Sequence, residues 1–476
     1  MHALMRSRWI DHWNAEDVEA WEAGGKNVAR RNLIASIFAE HIGFSVWSIW
    51  SVMVLFMPEE VYGIDPGGKF ILMAVPIACG AMLRIPYSIA PAKFGGRNFT
   101  IFSALLLFIP AVLTTYFMLH PASYPTYLVV AAVAGVGGGN FASSMANINL
   151  FYPQRLKGLA LGLNAGGGNL GVTVIQLLSL LVIATVGNRR PEIVCAIYLV
   201  LIAAAAVCAA VMMDNISGQH ASLKRMLEAL RFRHSWILSL LYIGTFGSFI
   251  GFSFAFGQIM QINYKAAGET AAQAALHAAQ IAWLGPLLGA LFRPIGGKFA
   301  DRMGGGRVTF SVFIAMMGAG GLLAYTSHAD DLQPGAATHG QMTTYIVGFL
   351  ILFMLAGIGN GSTYKMIPVV FEAKSHDLEG LSVAERAAWS RSTAGALLGF
   401  AGAIGSLGGV LINMTLRQSY TGPAHSGTHA FYVFLTFYVI CAVVTWWFFV
   451  RRSDPQPVGV VHRTPFGAKL AVAGGF

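Results

Sequence analysis

The stretch GAMLRIP, Gly80 to Pro86, returns as GALFRP, Gly289 to Pro294, and each copy sets an arginine inside an apolar run. Arg84 lies in a run from about Phe70 to Pro91 that contains no acidic residue. A glycine-rich basic loop follows both copies: KFGGR ends at Arg97, 13 residues after Arg84, and KFADRMGGGR ends at Arg307, 14 residues after Arg293. Two copies of one helix-and-loop unit, far apart in the chain, indicate a duplicated architecture with the arginines at similar depth, facing each other across a pseudo-two-fold axis.

Composition says what is duplicated. Of 476 residues, 55% are hydrophobic and only 11% charged, with a mean hydropathy of +0.61, far more apolar than a soluble domain of this size. Twelve apolar segments are long enough to cross a bilayer, at 32–57, 68–92, 98–119, 125–151, 156–184, 191–213, 235–264, 273–299, 306–328, 342–371, 387–415 and 429–451. The expected fold is an all-α membrane protein of two pseudo-symmetric six-helix bundles. Its parts are a cytoplasmic lead-in (1–31), a first bundle (32–213), a cytoplasmic linker (214–234), a second bundle (235–451) and a cytoplasmic tail (452–476).

Basic residues set the orientation, because cytoplasmic loops collect Lys and Arg near span ends. The N-terminus, the even-to-odd loops and the C-terminus together hold 23 of the 31 Lys and Arg, whereas the opposite loops hold Lys69, Arg189, Arg190, Lys265 and Arg417. Both termini are therefore expected in the cytoplasm, with the chain in the inner (plasma) membrane. The net charge of +10 is explained by this asymmetry and calls for no nucleic-acid partner. Cys79, Cys195, Cys208 and Cys441 all fall in apolar spans, so neither a disulfide framework nor a metal site is expected. Residues 1–31 lack the apolar core of a cleavable signal, and their Trp9, Trp13 and Trp21 suit an interfacial approach to the first span.

Three cations remain well inside spans, away from their ends: Arg84, Arg293 and Lys365. A charge at the bilayer centre costs at least about 2.5 kcal/mol, so such groups face a cavity or a partner. Of the 21 Asp and Glu, only Glu40 lies within a span, and it cannot neutralise two guanidiniums. A bound anion is the economical source of the missing charge. The planar guanidinium fork suits a small, flat, monovalent oxyanion such as nitrate or nitrite; phosphate or a dicarboxylate stays open on charge alone. Tyr242 and Phe246 share a helix face at i, i+4, while Phe141 and Tyr364 sit in spans matched by the six-span shift.

The glycine-rich runs AGVGGGN (Ala134–Asn140) and NAGGGNLG (Asn164–Gly171) are answered in the second half by AGIGNG (Ala356–Gly361) and GALLGFAGAIGSLGG (Gly395–Gly409). Small residues at matching spans favour close helix pairs that rock or slide. With their surroundings, GGGNFASSMANINLFYP (Gly137–Pro153), LGLNAGGGNLGVTVIQL (Leu161–Leu177), YIGTFGSFIGFS (Tyr242–Ser253) and GIGNGSTYKMIPVVF (Gly357–Phe371), they resemble the NarK-type nitrate/nitrite porters of the major facilitator superfamily from about Arg30 to Arg452. GGKFADRMGGGR also resembles the superfamily's cytoplasmic loop motif.

That resemblance implies alternating access between two bundles and transport of nitrate and nitrite in nitrate assimilation, with no enzymatic reaction and no cofactor. It implies that Arg84 and Arg293 ligate the anion, that Phe141 and Tyr364 sandwich it, and that Tyr242, Phe246 and Asn169 line the site. It also implies that Gly166, Gly167, Gly168, Gly399, Gly402 and Gly405 permit the bundle movement. The expected partners are nitrate, nitrite, protons and the lipid bilayer, with the chain acting as a monomer.

The chain departs from the best-known exchangers of that family at Glu40, His41 and Lys365. These are the proton-coupling candidates: Glu40 on span 1 is expected to pair with Lys365 on span 10, and nitrate:proton symport is favoured over nitrate/nitrite antiport. A nitrate-binding receptor is disfavoured because Asp214–His234 and Glu372–Arg386 are too short for an output domain, and the paired halves argue against an anion channel. No nucleophile–base or metal-ligand spacing supports an enzyme.

Overall fold

The computed structural model describes residues 8–187, 190–219, 227–333, 337–380 and 382–451. The expected tail 452–476, Arg189 and residues 220–226 of the linker lie outside the described residues. Eleven helices are long and apolar enough to cross a membrane, and one bent pair makes twelve. In chain order they are α1 (Val18–Trp47, continuing after a 45° bend as Ile49–Phe56), α2 (Pro66–Phe94), α3 (Gly96–Leu119), α4 (Tyr124–Phe151), α5 (Gln154–Val186), α6 (Glu192–Met212) and α7 (Arg233–Ala266). The rest are α8 (Ala271–Met303), α9 (Gly305–Asp331), α10 (His339–Ser375), α11 (Val383–Thr421) and α12 (Thr428–Val450).

The helices overrun the apolar stretches because their caps lie in the polar flanks. Asp65 accepts a 2.8 Å bond from the Gly68 amide just before Pro66 opens α2, and Thr270, Thr338 and Ser382 form reciprocal capping boxes with Gln273, Gln341 and Glu385. The bend in α1 follows from SVWSIWS: the Ser48 hydroxyl turns back to the Phe44 carbonyl at 2.9 Å and Ser51 to Ser48 at 2.7 Å, drawing carbonyls out of the helical ladder.

The repeat read in the sequence reappears in the backbone. Gly95 and Gly304, which end α2 and α8 in the two basic loops, have φ/ψ of 87°/140° and 86°/132°, a left-handed setting that disfavours any side chain. Each arginine-bearing helix also packs on a glycine-rich one. A Cβ at Gly135 on α4 would lie 3.0 Å from the Gly80 amide on α2, and one at Gly357 on α10 would strike the Gly289 carbonyl on α8.

One end of the molecule carries the N-terminal segment. Trp9–Ile10 pairs in parallel with Asn215–Ile216 after α6, Trp13 rests edge-on against Phe151 at 5.4 Å, and its indole donates to the Leu150 carbonyl at 3.1 Å. This segment ties the ends of α4 and α6 together.

The halves meet along α2 and α11. The Phe70 and Tyr420 rings stack at 5.7 Å, a Cβ at Gly409 would lie 3.3 Å from Ile77, and Arg84 Nη1 donates to the Gly402 carbonyl at 2.9 Å. Elsewhere Gln176 bonds the Ser253 carbonyl at 2.8 Å and Trp47 packs on Phe254 at 5.5 Å. Gly395, on the same face as Gly402 and Gly409 by heptad spacing, has nothing within 4 Å of where its Cβ would stand. These α2–α11 contacts cover the middle of the seam and its end away from the N-terminal segment.

Gly357→Ala should cost about 1–3 kcal/mol through overpacking at the Gly289 carbonyl, read as a lower melting temperature of the detergent-purified protein. Gly158→Ala, in open space on α5, should stay within about 0.5 kcal/mol of the parent. Equal shifts would rule out the close α8–α10 approach as the source of stability.

Candidate functional site

Arg84 on α2 and Arg293 on α8 converge at the junction of the halves, 0% and 7% exposed. Arg84 is anchored by backbone carbonyls: Nε donates to Gly138 on α4 at 3.2 Å and Nη1 to Gly402 on α11. Its Cζ lies 4.9 Å from the ring centre of Phe141, 5.1 Å from Phe246 and 5.5 Å from Trp47. Arg293 donates through Nη2 to the Tyr242 hydroxyl at 3.4 Å, with Cζ 5.4 Å from the ring of Tyr364 and 5.9 Å from that of Phe141. Both cations thus share the face of Phe141, and ring quadrupoles stabilise them where water is scarce.

Tyr242 and Phe246 stack at 5.1 Å with an interplanar angle of 9°, and Tyr364 adds a third ring 6.1 Å from Tyr242. Between the stacked rings α7 widens into a π-turn, Ile243–Gly247, a local distortion often found at functional sites. Gly405 makes room for Tyr242 and Gly402 for Arg84; a Cβ would stand 2.6 Å and 3.2 Å from those side chains. Of the other signature glycines, Gly167 abuts Ile37, Gly168 abuts Glu40, Gly166 has no neighbour within 4 Å, and Gly399 is half-buried.

The hydrogen-bond inventory is uneven. Arg84 Nη2 and Arg293 Nη1 are buried donors with no partner, and the side chain of Asn169 has neither donor nor acceptor satisfied. Asn360, which sequence reasoning passed over, is in the same condition one turn before Tyr364 on α10; the i, i+4 spacing was its only signal. Trp47 was also missed, although its indole is fixed by a 2.7 Å bond to the Pro76 carbonyl and it walls the Arg84 side. Unsatisfied buried donors are costly, and an acceptor-rich ligand would complete them.

The expected Glu40–Lys365 pair does not form. Lys365 is half-exposed and bonds both carboxylate oxygens of Asp301 at 2.8 and 2.9 Å. It follows Tyr364 by one residue, and the helical rotation of about 100° turns it from the site to the α8 side. Glu40 lies inside the first bundle, 1% exposed, where Oε2 accepts from Asn164 Nδ2 at 2.8 Å; Oε1 has no partner. His41 Nδ1 meets the Gly167 carbonyl at 3.0 Å. Among the described residues no carboxylate lies within 4 Å of Arg84 or Arg293, so the constellation is a cationic, aromatic-walled cluster with no carboxylate in contact.

The sequence model of the Major Facilitator Superfamily matches residues 37–411. The chain is 36% identical over 463 residues to "Nitrate/nitrite transporter NarU" of Escherichia coli, covering 93% of this chain and 96% of the relative. It is 30% identical over 473 residues to "Probable nitrate/nitrite antiporter NarK2" of Thermus thermophilus, covering 95% and 99%. A solved D-xylose-proton symporter superposes with a TM-score of 0.62 at 14% identity, over 87% of this chain and 96% of that one, a likeness of fold alone. With the duplicated bundles and the arginine pair at their junction, these matches place the chain in the major facilitator superfamily, within the family of the NarU and NarK transporters.

Proposed function

We propose that this protein is a nitrate/nitrite transporter of the bacterial inner membrane, working by alternating access as a monomer with both termini in the cytoplasm. The observation that carries this reading is the pair of repeat-related, buried arginines, each with an unpartnered N–H, set against flat aromatic faces with no acid in contact. A planar monoanion accepts in its plane from such donors and offers its faces to Phe141 and Tyr364. The names of the relatives point to the same substrates.

Alternating access is supported by the seam of α2 and α11 running through the site, with Gly402 and Gly405 as the contact points between α11 and the site, and Gly166, Gly167, Gly168 and Gly399 as the further glycines of the moving helices. Moving a monoanion into a negative interior costs about 2.3 kcal/mol per 100 mV, and either exchange or a co-transported proton removes that cost. Nitrate:proton symport is the mode favoured by the buried Glu40; nitrate/nitrite antiport is the second reading.

Arg84→Lys and Arg293→Lys should each weaken nitrate binding by roughly 10- to 100-fold, the loss of one charge-assisted bond of about 1.5–3 kcal/mol. Parental affinity in both variants would refute the site. In proteoliposomes, nitrate uptake into empty vesicles should follow an inward proton gradient; uptake that requires internal nitrite at equal pH would establish exchange instead. Lys365→Gln should keep the proton response, since its ion pair with Asp301 lies apart from the anion.

A further inference from the structure

Beside the anion site, α1, α3 and α4 enclose a small polar cavity. Its walls include Ser36, Glu40, Thr100, Ser103, Asn140 and Ser143, and about 10 Å³ is open to the centre of a water molecule, room for one. Two of these residues bring buried acceptors with no donor, Glu40 Oε1 and Asn140 Oδ1. Three of the hydroxyls are turned away, Thr100 donating to the Gly96 carbonyl at 2.8 Å, Ser103 to Thr100 at 3.2 Å and Ser143 to Asn140 at 3.1 Å, each along its own helix; Ser36 and Ser144 bond each other at 2.8 Å, and that pair keeps one hydroxyl proton to offer. Whatever completes this cavity must donate hydrogen bonds. A carboxyl proton on Glu40 does so, and one water passes the bond on to Asn140.

We propose that this cavity is a proton site distinct from the anion site, in which Glu40 takes up a proton when the anion binds and a single water links it to Asn140. The proposal rests on the anion-transport reading above and names its co-substrate. The groups that act on Glu40 are few. Arg293 on α8 and Arg84 on α2 reach it by their fields, as does the titratable phenol of Tyr364 on α10. Its neighbours on α3, α4 and α5 are hydroxyls and amides, namely Thr100, Ser103, Asn140, Ser143, Ser144 and Asn164. His41 on α1 is turned to the Gly167 carbonyl, and α6 brings Tyr198 and Cys208 to other turns of α1.

The sign of the coupling follows from charge. The fields of the two arginines favour the ionised form of Glu40 against its burial, and an anion on them cancels that field and adds a negative one, so anion binding favours protonation; by reciprocity, protonation favours the anion. A proton without an anion would leave both arginines uncompensated. Arginines, ionised Glu40 and no ligand carry one positive charge, and so do arginines, neutral Glu40 and a bound monoanion. The empty and doubly loaded carriers are therefore electrically alike. Two pairs of consecutive residues link the sites mechanically: Asn140 faces the cavity and Phe141 the arginines, while Gly168 abuts Glu40 and Asn169 is the expected anion-site residue beside it.

The test is calorimetric titration of nitrate into the purified full-length protein in buffers of different ionisation enthalpy, whose slope counts protons taken up. Up to about one proton per nitrate is expected, falling to zero in Glu40→Gln and retained with a shifted pH midpoint in Glu40→Asp, which also serves if the glutamine variant does not fold. A zero slope in the parent between about pH 5 and pH 9, or a parental slope in Glu40→Gln, overturns the proposal. So does nitrate affinity that depends on sodium rather than choline with no proton uptake, which would make the cation sodium. Absence of nitrate binding to the parent would instead refute the anion reading.

Discussion

Two like charges buried side by side, with no acid touching either, form the constraint around which the rest of the molecule is arranged. Arg84 and Arg293 are tolerable in an apolar protein because each is divided among carbonyl or hydroxyl acceptors and aromatic faces. That support comes from both halves: the second bundle's Gly402 holds the first bundle's arginine, and Phe141 of the first bundle underlies both cations. The arginine cluster proposed to hold the anion exists only where the halves meet, so a change in their packing is a change in the cluster. This is the physical link between binding and movement.

Glycine does two separate things here. At Gly95 and Gly304 it permits a left-handed turn that closes the basic loops, and the repetition of that setting is the clearest structural trace of the duplication. At Gly135, Gly357 and Gly402 it removes a side chain where another helix or an arginine must stand. Gly395 on α11 and Gly158, Gly162 and Gly166 on α5 have nothing within 4 Å of where a Cβ would stand. A glycine that fills no contact in one arrangement of the halves is free to make one in another.

Among the described residues, the buried carboxylate of the first bundle has no counterpart in the second. Glu40, Asn164, Ser144 and Ser36 form a chain of bonds of 2.5–2.8 Å running from α1 to α4 and α5. It reaches α4 at Ser144, three residues after Phe141 beside the arginines, so the asymmetry between halves is placed next to the shared cluster rather than on the lipid-facing surface.

Much of this was legible in residue order. Apolar length marked twelve spans, the Arg84 and Arg293 repeats marked the duplication, and the i, i+4 spacing of Tyr242 and Phe246 put them on one face, because each of these is a property of one helix or of a comparison between two stretches. The partner of Glu40 was not legible. A lone acid in an apolar run reports that it is buried but not which helix it faces, and Lys365 was assigned to it because spans 1 and 10 were both expected to line the cavity; the rotation of α10 gave that lysine to Asp301 instead. Asn360, Trp47 and the π-turn in α7 escaped for the same reason, since their importance arises from neighbours distant in sequence. Local chemistry determined which groups must be satisfied in a low-dielectric interior; the rotational setting and approach of the helices, fixed by packing among all twelve, decided which group satisfies which.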